Sequence, residues 1–468
     1  MNGIIAVLIL ALCLGVLVLV PLLTPAETVA LYGTVDLPSM AKALGLCGFL
    51  TLLAGAYTTK AGGDDSVFLV RVFIFAVLVR MMLGVLIFVF NLQDFFGGDA
   101  YTYDFFGETQ LNIWLGNTVH EFTMERFTAR YGTGVSGWGM VYLVGGIYGL
   151  IGRNMLAVQF VNAVFGAATA PVIYLCTRQI FENKRAARIA ALFVGFFPSL
   201  VLWSSQGLKD APIVFLLAFC ILATLKLADR LSAGYVFGLL FGLMGLLSLR
   251  FYIFYIMAVA IGAAFFLGTR SMTAESFVRQ FVIIVVVCAG LAYLGVGRLA
   301  DVQLEKFTRL DEVQRSRRDA SNAAESGFAE DADVSTASGA LSTIPIGLAY
   351  LLFAPFPWQL ASLRQSITFP EMVVWWLSFP ALVAGIWFAL RYKLRQVSAI
   401  LLFTTILTLA YSIFQGNVGT AYRQRAQLLV FYFIFVGIGY EIFLEKHEDR
   451  KRQREEAKTR TEKMNLRF

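Results

Sequence analysis

The sequence predicts an all-α, polytopic membrane protein with about 12 transmembrane helices. Of its 468 residues, 58% are hydrophobic and 15% are charged, whereas soluble domains are roughly half apolar and a quarter charged. Mean hydropathy is +0.71. The apolar residues are concentrated in runs of roughly 20 residues, the length that crosses a bilayer. No charged, mixed stretch is long enough to form a soluble catalytic domain.

The predicted spans follow these apolar runs. They lie at about 3–23, 41–57, 67–90, 155–176, 188–203, 211–228, 234–249, 251–268, 279–296, 371–390, 397–414 and 426–444. No Lys or Arg precedes the first run, so it is interpreted as a retained helix and not as a cleaved signal peptide.

Lys and Arg in short loops predict the orientation, because cytoplasmic loops are enriched in them. An inside N-terminus puts the basic loops 177–187 and 391–396 inside, together with the basic tail 445–468. Outer loop 24–40 has neither residue, while inner loop 58–66 fits less well. The sequence therefore predicts a multi-pass protein of the cell (inner, cytoplasmic) membrane with both termini in the cytoplasm.

Two long segments, 91–154 and 297–370, then lie outside the membrane. The apolar stretches within them, 138–151 and 345–358, are predicted to be extracytoplasmic interfacial helices, because counting either as a crossing inverts the later loops. Segment 311–343 is polar and is predicted to be mobile.

The predicted organisation has five parts. They are two N-terminal helices at 1–66, a transmembrane core at 67–296 that includes outer loop 91–154, an outer loop with an interfacial helix at 297–370, C-terminal helices at 371–444, and a basic cytoplasmic tail at 445–468.

Composition excludes several functions. The net charge of +7 comes largely from loops and the tail, so it does not predict nucleic-acid binding. The five cysteines all lie in apolar runs without a disulfide or zinc spacing, and are interpreted as small hydrophobic residues. Two histidines are too few for a His-rich metal site.

Acidic residues cluster at the start of the first long outer segment. Asp99 follows Gly97 and Gly98, which permit a tight turn that directs the carboxylate toward the membrane surface. Asp104 and Glu108 are four residues apart and would share one helix face. These residues equally fit a solvated acidic loop.

A second polar site follows the predicted span 188–203. Lys209 and Asp210 lie between two apolar runs. One interpretation is a pair that marks the membrane interface. The other is a second acidic site that faces Asp99 across a cavity.

Arginines near the end of the chain suggest an anion partner. The short outer loop around Tyr422 carries Arg423 and Arg425, against the positive-inside bias. Guanidinium groups match phosphate oxygens, although an arginine belt at lipid headgroups is the alternative. Arg80 lies within a predicted span and Arg250 at an outer turn; each has either a structural role or a place near the same ligand.

Together these features resemble the GT-C class of membrane glycosyltransferases, in style the protein O-mannosyltransferase and aminoarabinose-transferase group. The sequence GGDAYTYD around Asp99 matches the acidic site after an early helix, and SSQGLKDAP matches the second outer site. The resemblance covers most of residues 67–444. Ala100 follows Asp99 where members often have Glu, and Gly137-Trp138-Gly139 replaces a proline-rich entry.

The resemblance implies a polyprenyl-phosphate sugar as donor and a glycan, lipid or protein as acceptor, in contact with membrane lipids. Asp99 would be the general base of an inverting transfer. The residues that would position the acceptor or a possible divalent cation are Asp104, Glu108, Lys209 and Asp210. Those that would bind the donor phosphate are Arg80, Arg250, Tyr422, Arg423 and Arg425.

Three alternatives stay open at this point. A lipid-linked glycan polymerase or ligase would use the same arginines, with His120 as a candidate base. A secondary transporter or flippase would place acidic residues or broken helices in the middle of the membrane. A non-catalytic assembly partner is the third alternative.

Overall fold

A computed structural model of the chain describes residues 2–26, 28, 35–132, 137–267, 273–300, 303, 310–322, 327–328, 332–360 and 363–465. Its helices are α1 (Asn2–Leu14), α2 (Val20–Leu23), α3 (Leu37–Gly62), α4 (Ser66–Val89), α5 (Gln93–Phe96), α6 (Asp99–Leu115), α7 (Glu121–Tyr131), α8 (Trp138–Ile151), α9 (Met155–Phe181), α10 (Lys184–Phe196), α11 (Pro198–Ser204), α12 (Asp210–Asp229), α13 (Ala233–Leu249), α14 (Phe251–Leu267), α15 (Ala274–Tyr293), α16 (Leu310–Asn322), α17 (Ala337–Phe353), α18 (Leu363–Tyr392), α19 (Leu394–Phe414) and α20 (Val418–Asn465). A π-helical turn, Gly15–Leu19, joins α1 and α2. Within the described residues the only β pairing is an isolated bridge between Gly327 and Asn417.

Each predicted span overlaps a helix, and the chain is an all-helical, multi-pass membrane protein. In the described ranges, seven helical segments are long and apolar enough to cross a membrane, and the bent pair α10–α11 makes up to eight. One of the seven, Leu37–Val89, contains both α3 and α4. Five further apolar helices are 10–17 residues long, shorter than the roughly 20 residues that a perpendicular crossing needs. The count of about 12 spans stays a prediction.

Helix α9 lies at the centre of the bundle, where it packs against α3, α4, α10 and α12. Small residues permit these close approaches. A Cβ added at Gly166 would come within 2.4 Å of the Ser204 Cβ. Packing on α9 therefore fixes the positions of α4 and α12, the helices near whose ends Asp99 and Asp210 lie.

The predicted single span 188–203 is two helices, α10 and α11, bent by 50°. The bend lies at Pro198, which has no N–H and leaves the carbonyl of Val194 without its helical donor. The sequence predicts an unbroken run here because apolar composition is continuous through the proline.

The two long loop segments are largely helical in their described parts. Segment 91–154 contains α5 to α8, and α8 coincides with the predicted interfacial stretch 138–151. In segment 297–370 the apolar helix is α17, Ala337–Phe353. It begins and ends earlier than the predicted interfacial stretch 345–358. Part of the polar segment 311–343 forms α16, whose buried Arg317 donates to the carbonyl of Ile413 at 2.9 Å.

The less basic loop 58–66 forms ion pairs with the next basic loop. Lys184 Nζ lies 3.1 Å from Asp64 Oδ2, and Arg188 Nη2 lies 2.5 Å from Asp65 Oδ1. The aspartates of the first loop thus neutralise a lysine and an arginine that begin α10. This pairing places both loops at the same end of the bundle.

Candidate functional site

Asp99 begins α6, just beyond the end of α4. Gly97 has a φ of +106°, a left-handed conformation that favours glycine, so the predicted turn is present. The Asp99 side chain is 50% exposed. A carboxylate in the first turn is stabilised by the partial positive charge of a helix N-terminus. Asp99 is therefore a solvent-accessible carboxylate at one end of the bundle.

Arg423, near the start of α20, bridges Asp99 to Asp210 at the start of α12. Its Nη1 lies 2.6 Å from Asp99 Oδ2, and its Nη2 lies 2.6 Å from Asp210 Oδ2. The Nε donates to the same Asp210 oxygen at 2.8 Å. Asp210 is 2% exposed and Arg423 14%. Three residues predicted from separate segments thus meet, and Asp210 is a second acidic residue beside Asp99.

Arg250 contacts the same buried carboxylate from the turn between α13 and α14. Its Nη2 lies 3.6 Å from Asp210 Oδ1, and its guanidinium carbon lies 5.9 Å from the centre of the Tyr252 ring. The start of α8 packs tightly here, since a Cβ at Gly139 would lie 2.2 Å from Ser248 Oγ. Only a residue without a side chain allows this contact next to Arg250.

Lys209 adds a further positive charge beside Asp210. Its Nζ reaches toward Gly137 and has no hydrogen bond or ion pair with any other described residue. Burial and the neighbouring Arg250 lower the pKa of the Lys209 ammonium to about 7, against the opposing effect of Asp210. We call five of these residues the outer cluster: Asp99, Lys209, Asp210, Arg250 and Arg423. When Lys209 is protonated the three cations of the cluster outnumber its two carboxylates, so the cluster attracts an anion.

Asn162 of α9 fixes the loop that presents Lys209 and Asp210. Its amide nitrogen donates to the carbonyls of Gln206 and Leu208, each at 2.7 Å. Asn162 is fully buried, so these two bonds hold the loop on the rigid central helix. Asn162 is absent from the sequence-based candidates, because one polar residue in an apolar run carries no information about its partners.

Asp104 and Glu108 share a helix face, as predicted, but both contact Arg153. The Arg153 guanidinium lies 2.6 Å from Asp104 Oδ2 and 2.7 Å from Glu108 Oε2, and Tyr148 donates to Asp104. Although burial opposes it, the Asp104 and Glu108 carboxylates raise the pKa of Arg153. These residues brace α6 against the end of α8. Their predicted role in positioning an acceptor or metal stays a prediction beside this structural role.

Tyr422 and Arg425 adjoin Arg423 in α20, and both are buried inside the bundle. Arg425 is 1% exposed, and its Nη1 donates to the carbonyls of Leu352 at 3.2 Å and Ala354 at 3.1 Å, where α17 ends. Tyr422 is also buried, and its hydroxyl donates to Glu371 Oε2 at 2.7 Å. Both are predicted from the sequence as donor-phosphate ligands. Both side chains are buried and bonded inside the bundle, and their role as phosphate ligands stays a prediction.

Arg80, the other arginine predicted to bind phosphate, stabilises the bend between α10 and α11. Its Nη1 donates to the carbonyl of Gly195 at 2.7 Å, and its Nε donates to Ser204 Oγ at 2.7 Å. The carbonyl of Val194 lies 3.4 Å from Nη2. Arg80 is 1% exposed. It donates to the carbonyls that are left unpaired near Pro198 and does not belong to the outer cluster.

The possible divalent cation stays a prediction. No group of three or more His, Cys, Asp or Glu side chains within the described residues is placed to hold an ion. Arg423 occupies the position between Asp99 and Asp210, where a cation bridging the two carboxylates would lie. His120, the candidate base of the ligase alternative, is exposed at the start of α7.

Comparison with known proteins supports the resemblance to GT-C glycosyltransferases. Residues 138–293 match a family model described as dolichyl-phosphate-mannose-protein mannosyltransferase. The matched region contains Lys209, Asp210 and Arg250, and Asp99 and Arg423 lie outside it. No curated protein matches the chain in sequence.

Two solved structures of the oligosaccharyltransferase of Archaeoglobus fulgidus are similar at a low level. One, AglB with an inhibitory peptide and a dolichol-phosphate, is 16% identical with a TM-score of 0.42, and the match covers 68% of this chain and 44% of that one. The apo form is 15% identical with a TM-score of 0.41, and the match covers 82% and 52%. This chain therefore spans about half the length of those proteins.

Proposed function

We propose that this protein transfers a sugar from a polyprenyl-phosphate donor to an acceptor hydroxyl at the extracytoplasmic face of the cell membrane. The supporting observation is the convergence of Asp99, Asp210 and Arg423 from three distant segments at one end of the bundle. The orientation inferred from basic loops, with both termini cytoplasmic, makes this the outer end. The acceptor is a glycan, lipid or protein.

The positive charges of the outer cluster suit the donor phosphate. Arg423 is held on Asp210 through Nε and Nη2, while Nη1 contacts the half-exposed Asp99. A cavity of only about 20 Å³ lies beside Asp210, room for about one water. The donor therefore approaches from the side of Asp99, where its phosphate meets Arg423 and Lys209.

Donor binding frees the base in this proposal. A phosphate oxygen takes the Nη1 donors of Arg423, and Asp99 Oδ2 loses its ion-pair partner. Arg423 stays in place because Asp210 still accepts from Nε. The released carboxylate then faces the acceptor hydroxyl, and a base so placed contributes roughly 10²–10⁴-fold.

The chemical step is a single displacement. Asp99 accepts the proton of the acceptor hydroxyl while the hydroxyl oxygen forms a bond to the anomeric carbon. The bond between that carbon and the phosphate oxygen breaks, and its electron pair leaves on the polyprenyl phosphate. Arg423 and Arg250 stabilise the charge that develops on the leaving oxygen. Attack opposite the leaving group inverts the anomeric configuration.

Two alternatives receive less support. The ligase alternative uses His120, which is exposed outside the outer cluster. The transporter alternative uses acidic residues or broken helices inside the membrane. The bend between α10 and α11 is filled by Arg80, and Glu371 is buried within α18. Its partner Tyr422 adjoins Arg423 in sequence, so Glu371 lies at a depth near the outer cluster and not midway through the bundle.

The test is the Asp99→Asn variant, assayed for sugar transfer from a radiolabelled polyprenyl-phosphate sugar. We expect a loss of roughly 10²–10⁴-fold in kcat because the base is removed. The unfolding midpoint should change little, because Asp99 is half exposed and Arg423 keeps its contacts with Asp210. Asp94→Asn is the matched control, an exposed carboxylate of the same loop, and should transfer normally. Near-normal turnover of Asp99→Asn would exclude Asp99 as the base.

A further inference from the structure

A cleft lies at the end of the bundle opposite Asp99, between the first helix and the hairpin of α3 and α4. Its volume is about 330 Å³. Its lining is Ile5, Thr59, Ser66, Val67, Val70, Arg71 and Ile74. Apart from Arg71 and the two hydroxyls the walls are apolar, so the cleft has one charged group in a hydrophobic setting.

Arg71 has no partner for its charge in the described chain. Its Nε is buried without a hydrogen bond, and no ion pair joins Arg71 to another described residue. Arg71 lies five residues after Ser66, where α4 begins, which is about 7.5 Å along the helix. An arginine side chain on a helix leans toward the N-terminus, here toward the membrane surface.

Neighbouring carboxylates do not compensate Arg71, because other cations already hold them. Asp64 is paired with Lys184, and Asp65 is paired with Arg188. The Thr59 hydroxyl donates to the carbonyl of Gly55 at 2.9 Å. A guanidinium within a membrane helix is costly without an anion, so the charge of Arg71 calls for one from outside the chain.

We propose that this cleft binds one anionic phospholipid. The phosphate lies on Arg71, next to Ser66 at the positive end of α4. The acyl chains lie along Ile5, Val70 and Ile74. A free phosphate would satisfy the charge and leave these apolar walls exposed, whereas a lipid satisfies both. The site is separate from the outer cluster, by the length of the 24-residue helix α4.

Native mass spectrometry of the purified, delipidated full-length protein tests this site, with phosphatidylglycerol as the probe. We expect wild type to bind one molecule of the added phosphatidylglycerol. Arg71→Gln should bind it at least roughly tenfold more weakly, since a charge-assisted hydrogen bond is lost. Lys60→Gln removes an exposed charge from the same end of the bundle and should bind as wild type does. Val70→Trp fills the cleft without a change of charge and should also lose the lipid.

Three outcomes would overturn the proposal. The first is equal retention by wild type and Arg71→Gln, and the second is no retention by wild type. The third is displacement of phosphatidylglycerol by inorganic phosphate alone, which identifies a free-phosphate site. Sugar transfer by the folded variants should match wild type, so the result is independent of the outer cluster.

Discussion

Arg423 and Arg80 are both arginines of apolar helices, but they have opposite surroundings. Arg423 contacts two carboxylates, one of them half exposed, and lies beside an unpaired lysine. Arg80 is enclosed by backbone carbonyls and a serine hydroxyl at a helix bend. Arg425 resembles Arg80, because it meets the carbonyls at the end of α17. In the proposed function, the partner and not the residue type separates the phosphate-binding arginine, Arg423, from the structural ones.

The same difference explains why Arg423, unlike Arg80, is suited to exchange one partner for a phosphate in the proposed function. A carboxylate that is open to solvent, such as Asp99, is stable after the arginine donor that it accepts is taken by a phosphate. A buried carbonyl freed by Pro198 has no water to replace Arg80, and leaving it without a donor costs about 1–3 kcal/mol. Substitutions at the two arginines should therefore separate loss of transfer from loss of stability.

Of the substitutions at the two arginines, Arg423→Gln should have the larger effect on transfer. Transfer should fall by roughly 10²–10³-fold, since a donor to the leaving phosphate is lost. The variant should also be less stable by as much as about 3–5 kcal/mol, because Asp210 stays buried with a weaker partner. Radiolabelled transfer and denaturation in detergent measure the two effects.

The double variant Arg423→Gln with Asp210→Asn separates these effects. It removes the buried Asp210 charge but also takes the carboxylate away from Arg250, so it should recover part of the stability and none of the transfer. Recovery of transfer would mean that Arg423 serves only to neutralise Asp210.

Arg80→Met should be destabilised by about 3–5 kcal/mol, because it leaves several buried acceptors without donors. Its transfer per folded molecule should stay close to wild type. Arg391→Met, at an exposed helix end, is the control and should lie within about 0.5 kcal/mol of wild type. A stable Arg80→Met protein that has lost transfer would place Arg80 in the binding site after all.

Lys209 should give the smallest effect, a pH dependence. With a pKa of about 7 it is charged below that pH and neutral above it. The KM for the donor should therefore rise as pH rises through about 7, as anion attraction is lost. Lys209→Arg stays charged and should show no such rise. A rise of the same size in both proteins would assign the titration to another group.

Lys209 also makes a contribution to stability whose sign follows from the same shift. Its pKa is lower in the folded protein than the ordinary value of 10.5. The unfolded chain then binds more protons between these values, so this residue's contribution to the free energy of unfolding rises with pH from about 7 upward. Lys209→Arg should lack that contribution.

The helices and the approximate place of the site could be predicted from the sequence. The sequence predicts Asp99 at the end of an early helix with a glycine turn before it, and the structure has both. The bend at Pro198, the Arg153 brace and the Asn162 bonds could not be predicted. Each depends on partners that are far away in the chain, as the Asn162 bonds to Gln206 and Leu208 show.

Sequence by itself determined that the chain is helical and spans a membrane, because a backbone in lipid must satisfy its own hydrogen bonds and apolar runs of sufficient length are visible in any sequence. Tertiary structure decided which charged residues meet. Asp99 and Arg423 are 324 positions apart, and only the packing of α6, α12 and α20 brings their side chains to 2.6 Å. Packing between other helices directs Arg80 and Arg425 toward carbonyls, since a buried guanidinium binds whichever acceptors the folded backbone leaves unpaired.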